Sequence, residues 1–282
     1  MPHIILYRED SDIKEFPEER TAMNQFFETT PRRTAHELAH RTVIGRYSVL
    51  PYYKELCEDL ALYDARLINS LRQHVYIADV MQWAAHELEG LTPRTWTDRE
   101  LHNLPDDGTS FVLKGQTNSH KFLWNTHMFA KNKSAAIQVY CRLQDDRMIS
   151  TQGIYAREYV PLKTHFISLH GLPITEEFRF FVCCGKILSG GYYWSNFSDE
   201  FPDGPPDPAD VPKEFLADVI ERIGDRATAY ALDVAQTQEG GWIVVEINDL
   251  QMSGLSDNDP VELYGNLRNV MDHVYPYWTQ IP

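Results

Sequence analysis

The segment ALDVAQTQEGGWIVVEIND, near the C-terminal end of the chain, constrains the fold more than any other stretch. Two apolar runs flank a polar turn with adjacent glycines, which is a β-hairpin signature. A loop of residues 239–240 would place Asp233 opposite Glu246, whereas a loop of residues 240–241 would place it opposite Asn248. Residues two apart share a strand face. Either two-residue loop therefore brings these three polar side chains to one side, whereas a three-residue loop would not.

The two carboxylates of this hairpin need a compensating positive group. Like charges placed opposite each other destabilise a strand pair, and these stand among Val244, Val245 and Ile247. Mg²⁺ takes oxygen ligands and is commonly held by one or two carboxylates plus substrate phosphates. The hairpin therefore predicts a Mg²⁺ site, and the alternative is an acidic face that is merely solvated.

Charge composition limits the binding partners. The 282 residues include 26 Lys and Arg against 41 Asp and Glu, a formal net charge of −15. Such acidity argues against a duplex nucleic-acid binder, which neutralises phosphates with a broad basic face. It remains compatible with a local cationic pocket for a nucleotide.

Cysteine usage and hydropathy indicate the compartment. None of the four cysteines lies in a CxxC pair, so neither a disulfide framework nor a cysteine zinc site is expected. The N-terminal apolar run is too short for a signal peptide, and no run approaches the ~18 residues of a membrane helix. We expect a cytoplasmic protein without a membrane partner.

The organisation of the chain changes near Pro105. Before it, short apolar runs such as residues 4–7 alternate with amphipathic stretches such as residues 73–88, which favours a small α/β unit. After it, extended segments rich in β-branched and aromatic residues dominate. The length also favours about two domains.

Basic residues beside a flexible loop and within strands suggest anion binding. Lys114 ends an apolar strand and Lys121 follows a polar loop, where lysines can hold phosphate oxygens as point charges. Arg157 and Arg179 alternate with bulky apolar residues, which is unusual unless each guanidinium meets an anion or a carboxylate. Arg179 could equally be neutralised by Glu177 on the same strand face.

The order of these elements resembles the ATP-grasp superfamily, most closely a clade common in phages and bacteria and named for two arginines and a lysine. The resemblance runs from about residue 92 to residue 258. TPRTW resembles the link from a preceding α/β domain, and FVLKG…SHK resembles the lysine-bearing strand and phosphate loop. AREYV is similar to the hinge that receives adenine and ribose. EEFRFFVCCGKIL is similar to the arginine-bearing core strand, and LDV…VVEINDLQMSG to the metal-binding end.

The resemblance implies an α/β (α+β) architecture in which an ATP-grasp fold follows a small Rossmann-like domain. Residues 1–105 would form the pre-ATP-grasp domain and residues 106–282 the ATP-grasp domain. Within the latter, the lid would span about 106–160 and the core about 161–282.

The resemblance also implies an ADP-forming carboxylate–amine ligase that uses ATP and Mg²⁺. A substrate carboxylate would attack the γ-phosphate, and an amine would then displace phosphate from the acylphosphate of a small molecule or peptide. Asp233, Glu246 and Asn248 would hold Mg²⁺. Lys114 and Arg179 would act as catalytic residues, and the contacts to ATP would be made by Lys114, Lys121, Arg157, Glu158, Tyr159, Val160 and Arg179.

Two rival functions and three further residues stay open. The sequence HELAH matches the HExxH zinc motif through His36, Glu37 and His40, which would make the protein a metalloprotease. The other rival is a non-catalytic protein that binds nucleotide without turnover. Candidate substrate contacts in the first domain are Arg46, Ser70 and His74.

Overall fold

The first hundred residues contain a parallel sheet with helices packed around it. The structure is a computed structural model that describes residues 2–7, 17–31, 35–47, 52–147 and 149–278. The four parallel strands have the order β2-β1-β3-β4. Their bounds are β1 His3–Tyr7, β2 Glu28–Pro31, β3 Thr42–Gly45 and β4 Arg66–Leu67, and the helices are α1 Pro17–Phe26, α2 Tyr53–Ala61, α3 Leu71–Ala78 and α4 Val80–Ala84.

Strand β1 is apolar at consecutive positions because both faces of this sheet are covered. Ile5 packs into one core with Ile44, and Ile4 packs into another with Val43. Parallel strands buried on both faces read as continuous apolar runs rather than as alternating patterns. The expected α/β unit is therefore present in the N-terminal region.

The helix predicted over residues 73–88 is two helices that meet at Asp79. This residue has an extended backbone (φ −100°, ψ 101°), and its carboxylate accepts a hydrogen bond from the backbone N–H of Met81. The aspartate therefore caps α4 and ends the regular spacing of α3, because Asp competes with helical hydrogen bonds through its own side chain.

A second sheet, which we call the lid sheet, has four antiparallel strands in the order β5-β8-β6-β7. Leu113 and Ala156 are fully buried on the face covered by helix α5 (Lys133–Gln144). Strand β5 precedes Pro105 in sequence but pairs with β8. The strands are β5 Thr95–Thr97, β6 Phe111–Gly115, β7 Phe129–Ala130 and β8 Ile154–Glu158.

The third sheet, the central sheet, is antiparallel with the order β12-β11-β13-β14. One face packs on α6, and the other packs on α7 and α8 around Phe181 and Ala231. A two-stranded sheet of β9 and β10 precedes it. The bounds are β9 Thr164–Ile167, β10 Pro173–Thr175, β11 Glu177–Cys183, β12 Lys186–Tyr192, β13 Ala229–Gln236, β14 Trp242–Asp249, α6 Lys213–Ile223, α7 Pro260–His273 and α8 Tyr275–Trp278.

No helix in the described ranges is long and apolar enough to cross a membrane.

Candidate functional site

The hairpin of β13 and β14 has a three-residue loop, which neither sequence register included. The backbone N–H of Thr237 donates to the carbonyl of Gly241 (2.7 Å), and that of Gly240 donates to the carbonyl of Thr237 (2.9 Å). Gly240 has φ +91°, a left-handed conformation that glycine adopts without a steric penalty. The prediction of a two-residue loop was therefore wrong.

A β-bulge at Val245 restores the expected register. Asp233 pairs with Glu246, but the next residue, Val234, pairs with Val244, so Val245 has no partner across the hairpin. The bulge turns Glu246 to the same face as Asp233, while Val244 stays in the core on the other face. Asn248 lies on the Asp233 face, and its Nδ2 donates to Asp233 Oδ2 (3.4 Å). The three predicted metal ligands therefore share one face.

Arg179 forms a buried, two-bond ion pair with Asp233. Its Nε and Nη2 donate to Asp233 Oδ1 and Oδ2, both at 2.7 Å, and its Nη1 donates to the carbonyl of Gly254 (3.0 Å). Arg179 on β11 and Asp233 on β13 are direct cross-strand partners in the central sheet. The alternative that Glu177 neutralises Arg179 was therefore wrong, because the cross-strand partner lies closer than the same-strand neighbour.

Lys114 of β6 reaches across the cleft to Glu246 of β14. Its ammonium donates to Glu246 Oε1, so the lid sheet and the central sheet are joined by an ion pair. Burial alone would raise the pKa of Glu246, but the Lys114 ammonium, assisted by Lys121 and Asn248, overcomes this effect and lowers the pKa to about 2. The carboxylate is therefore ionised at neutral pH and able to bind a cation.

Lys121 lies at the inner end of the same cleft, against two aromatic rings. Its ammonium donates to the hydroxyl of Tyr193 and stands 4.1 Å from that ring's centre and 4.9 Å from the ring of Trp194. Glu177 is nearby and buried, and burial raises its pKa to about 7 despite the opposing effect of Lys121. Thr175 donates its hydroxyl to this carboxylate (3.3 Å).

The polar loop between Lys114 and Lys121 is held by side-chain contacts rather than by glycine conformations. The backbone N–H and the hydroxyl of Thr117 donate to Gln152 Oε1 at 2.9 and 3.0 Å. His120 Nε2 lies 2.8 Å from Asp146 Oδ2. These contacts fix the loop at the edge of the cleft.

The guanidinium of Arg157 is bonded to protein groups. Nη1 donates to the carbonyl of Val245, Nη2 to the hydroxyl of Thr92 (2.7 Å), and Nε to the hydroxyl of Thr95 (3.2 Å). Burial lowers the pKa of Arg157 to about 10, although Glu246 opposes this effect.

The segment after β8 leaves backbone groups available at the cleft. Among the described residues, no backbone hydrogen bond involves the N–H or carbonyl of Val160, whereas Tyr159 donates its N–H to Ser110 (2.8 Å). The carboxylate of Glu158 accepts two hydrogen bonds from Arg94, at 2.8 and 3.2 Å. The N–H and the carbonyl of Val160 are therefore available to other groups at the cleft.

One cleft between the lid sheet and the central sheet collects most of these groups. The structure places seven predicted site residues in its wall, and Arg179, Asp233 and Asn248 lie outside that wall. The predicted residues in the wall are Lys114, Lys121, Arg157, Glu158, Tyr159, Val160 and Glu246. The wall also contains Trp124, Met128, Leu172, Thr175, Glu177, Trp194, Ile243 and Val245.

A family model described as ATP-grasp domain, R-2-K clade family 3, matches residues 103–267, which is more than half of the chain. The chain belongs to this ATP-grasp family. A search of curated proteins found no match.

Solved structures show the ATP-grasp fold over nearly the whole chain. D-cycloserine synthetase DcsG is 13% identical, with a TM-score of 0.58 over 95% of this chain and 99% of that chain. A RimK domain ATP-grasp protein from Sphaerobacter thermophilus is 16% identical, with a TM-score of 0.59 over 94% and 98%. The ATP-grasp ligase PsnB, complexed with minimal precursor, Mg and ADP, is 11% identical, with a TM-score of 0.56 over 98% of both chains. The mixed α/β ATP-grasp fold expected from the sequence is confirmed.

The HExxH segment does not have the geometry of a zinc site in this ATP-grasp protein. Residues 35–38 form one 3-10 turn, and His40 has φ +59°, so the two histidines do not lie on one face of an α-helix. His40 Nδ1 lies 3.3 Å from Asp64 Oδ2. In the described part of the chain, no three His, Cys, Asp or Glu residues form a group that could hold a metal. The metalloprotease interpretation is therefore wrong.

The three candidate substrate contacts of the N-terminal region have protein partners. Arg46 Nη2 bonds to Glu19 Oε1 (2.6 Å), and His74 Nδ1 lies 3.0 Å from Asp249 Oδ2. Ser70 caps α3 through its hydroxyl. These contacts connect the N-terminal elements to each other and to the end of β14.

The sequence indicated no role for Glu177 at this cleft and no contact between Tyr193 and Lys121. Glu177 shares a strand face with Arg179 because they are two residues apart, and this spacing was the available signal. The contact of Tyr193 with Lys121 spans 72 residues, so no local pattern indicates it.

Proposed function

We propose that the protein is an ATP- and Mg²⁺-dependent ligase that joins a carboxylate to an amine and releases ADP and phosphate. The observation that carries the proposal is that Lys114, Lys121 and Glu246 lie in the cleft wall, while Arg179 bonds to Asp233, which pairs with Glu246 across the hairpin. Cations beside oxygen ligands suit the transfer of a phosphoryl group, which requires positioning and charge neutralisation more than a protein nucleophile.

The outer part of the cleft suits the nucleoside. The free N–H and carbonyl of Val160 would pair with adenine, and Trp124 and Met128 would cover its faces. Glu177 and Thr175 offer oxygen atoms for ribose hydroxyls, and Glu158 is a further residue of the cleft wall. The phosphates would then extend towards Lys114 and Lys121.

Glu246 in the cleft wall and the two polar residues on its strand face fit a magnesium site. Glu246 is ionised, and Asp233 and Asn248 provide further oxygen atoms on its face. Two carboxylate side chains and an amide leave the remaining coordination positions for phosphate oxygens, as is usual for Mg²⁺. Bound there, the ion would neutralise charge on the phosphates. Lys114 would then transfer its hydrogen bond from Glu246 to phosphate.

The reaction has two displacements. A substrate carboxylate oxygen attacks the γ-phosphorus, and the bond from that phosphorus to the ADP oxygen breaks. An amine then attacks the acyl carbon, phosphate leaves with the electrons of the acyl–oxygen bond, and the amine loses one proton. Lys121 and Arg179 hold negative charge on the transferred group in both steps. Proximity and orientation provide much of the rate enhancement.

An open groove next to the inner end suits a peptide substrate. It begins at Lys121 and Arg179 and continues over exposed Phe122, whose side chain is 74% exposed. It is bordered by the N-terminal turn of α1 and by the loop around Gly254. PsnB is described with its minimal precursor, and the macrocyclase MdnC from Microcystis aeruginosa with precursor peptide MdnA. These complexes support a peptide as the substrate.

Residues 1–105 would act as the pre-ATP-grasp domain, although β5 within them is a strand of the lid sheet; residues 106–160 would act as the lid and residues 161–282 as the core. The two arginines and lysine of the clade would be Arg157, Arg179 and Lys114. The need for ATP supports a cytoplasmic location.

The test is Mg²⁺-dependent ADP release, stimulated by fractions of cell extract, with the product identified by mass analysis. Glu246→Ala and Asn248→Ala are expected to abolish the stimulated release while circular dichroism stays unchanged. Glu58→Ala is the control, because this carboxylate lies on the surface and pairs with exposed Lys54. Full turnover in both site variants would contradict the site. Tight ATP binding without ADP release in any fraction would favour the non-catalytic alternative.

A further inference from the structure

Strand β14 carries Glu246 and Asn248, two of the three proposed metal ligands, and lies at the edge of the central sheet. On its free edge, the N–H of Val244 donates to the carbonyl of Leu91 (2.7 Å), and the hydroxyl of Thr92 donates to the carbonyl of Val244 (2.7 Å). The next carbonyl, that of Val245, accepts the hydrogen bond of Arg157 Nη1. Residues 91–92 and Arg157 therefore satisfy the backbone groups that Val244 and Val245 present on this edge.

The carbonyl held by Arg157 belongs to the bulge residue. A bulged residue is left out of the strand ladder, and its polar groups need other partners when they are buried. Val245 lies directly before Glu246, so the conformation of the bulge sets the direction of that carboxylate. Without the bulge, the three-residue loop would place Val245 opposite Asp233 and turn Glu246 to the opposite face.

Arg157 is itself held in place. It is 8% exposed, Thr92 and Thr95 accept two of its donors, and its guanidinium carbon lies 5.6 Å from the ring centre of Trp83. Thr92 bonds to both Arg157 and the carbonyl of Val244, so a single hydroxyl joins the arginine to the bulged strand.

We propose that Arg157 is a positioning residue that fixes the bulge at Val245 and so aims Glu246 at the metal site. The inference rests on the proposed function, because it takes Glu246 to be a ligand of Mg²⁺. It assigns to Arg157 a role through the backbone of β14 in place of the phosphate or carboxylate contact expected from the sequence.

The experiment measures the dissociation constant of a fluorescent ADP analogue with Mg²⁺ and with EDTA. The variants are Arg157→Gln and Thr92→Val, and Thr92 is not part of the cleft wall. Mg²⁺ should tighten the binding of the ADP analogue to the wild type, and we expect this effect to be about 10- to 100-fold smaller in both variants. Substitution of residues that orient metal ligands typically has an effect of this size. The affinity of Thr92→Val in EDTA should equal that of the wild type. Thr95→Val is the matched control and should keep the tightening, because it leaves both bulge carbonyls bonded.

The outcomes separate the two proposals. Loss of ADP affinity in EDTA for Arg157→Gln, with no change for Thr92→Val, would show a direct phosphate contact and overturn the positioning role. Unchanged Mg²⁺ tightening in Thr92→Val would overturn it too, even if Arg157→Gln fails to fold. A wild-type protein with no Mg²⁺ tightening would overturn the proposed metal site and, with it, the positioning role.

Discussion

Replacing Glu246 with glutamine tests the ion pair that joins the lid sheet to the central sheet. Its pKa of about 2, against an ordinary 4.5, means that the folded protein favours the ionised carboxylate. This stabilisation is fully present above pH 4.5 and is lost as the pH falls towards 2. One pKa unit corresponds to about 1.4 kcal/mol, so the difference amounts to about 3 kcal/mol.

Urea unfolding followed by tryptophan fluorescence measures this effect across the acid range. We expect Glu246→Gln to be about 3 kcal/mol less stable than the wild type at neutral pH, with the difference closing as the pH approaches 2. The double variant Lys114→Met/Glu246→Gln should recover part of the loss, because it removes the ammonium left without a partner. Parallel stability curves for the wild type and Glu246→Gln would refute the reasoning.

Three further changes have defined outcomes. Asp233→Ala should lower the free energy of unfolding by about 3–5 kcal/mol, because it leaves Arg179 buried without its partner; urea unfolding measures this, and a surface-like loss below about 1 kcal/mol would contradict it. The pKa of Glu177 is raised to about 7. The protonated side chain therefore adds to the free energy of unfolding below pH 4.5, and this stabilisation is lost as the pH rises through 7. Glu177→Gln should therefore be the more stable protein at pH 8, which pH-resolved melting would show; identical pH profiles would refute the assignment. Gly240→Ala should cost about 1–2 kcal/mol from its left-handed backbone alone, since no atom lies within 4 Å of the added carbon. Gly254→Ala is the control with equal space and an ordinary backbone.

Residue spacing was enough to predict which hairpin side chains meet, but not how the hairpin is built. The sequence contains a consecutive apolar pair, Val244 and Val245, and such a pair does not reveal which member leaves the ladder. The loop length was equally hidden, because Glu239-Gly240 and Gly240-Gly241 are both good two-residue turns. Asp233 and Glu246 are nevertheless paired as predicted. The third loop residue shifts the register of the hairpin by one position, and the bulge at Val245 shifts it back.

Contacts between distant segments lay beyond sequence reasoning. A strand face shared by Arg179 and Glu177 is a local property, whereas the pairing of Arg179 with Asp233 depends on the order of strands in the sheet.

The helix break at Asp79 follows from its own side chain, which takes the place of a helical hydrogen bond. The HExxH motif shows the reverse, since a helical spacing in the sequence folded as a short turn.

The β13–β14 hairpin couples the length of its turn to the shape of its strand. If one loop residue were removed while Val245 stayed unpaired, the register of β14 would shift by one position. Glu246 would then turn to the opposite, apolar face of the sheet. Relatives that shorten this turn by one residue would have to straighten the strand as well. A deletion in the turn of this hairpin should therefore occur together with loss of the bulge, although the turn itself lies away from the proposed metal site.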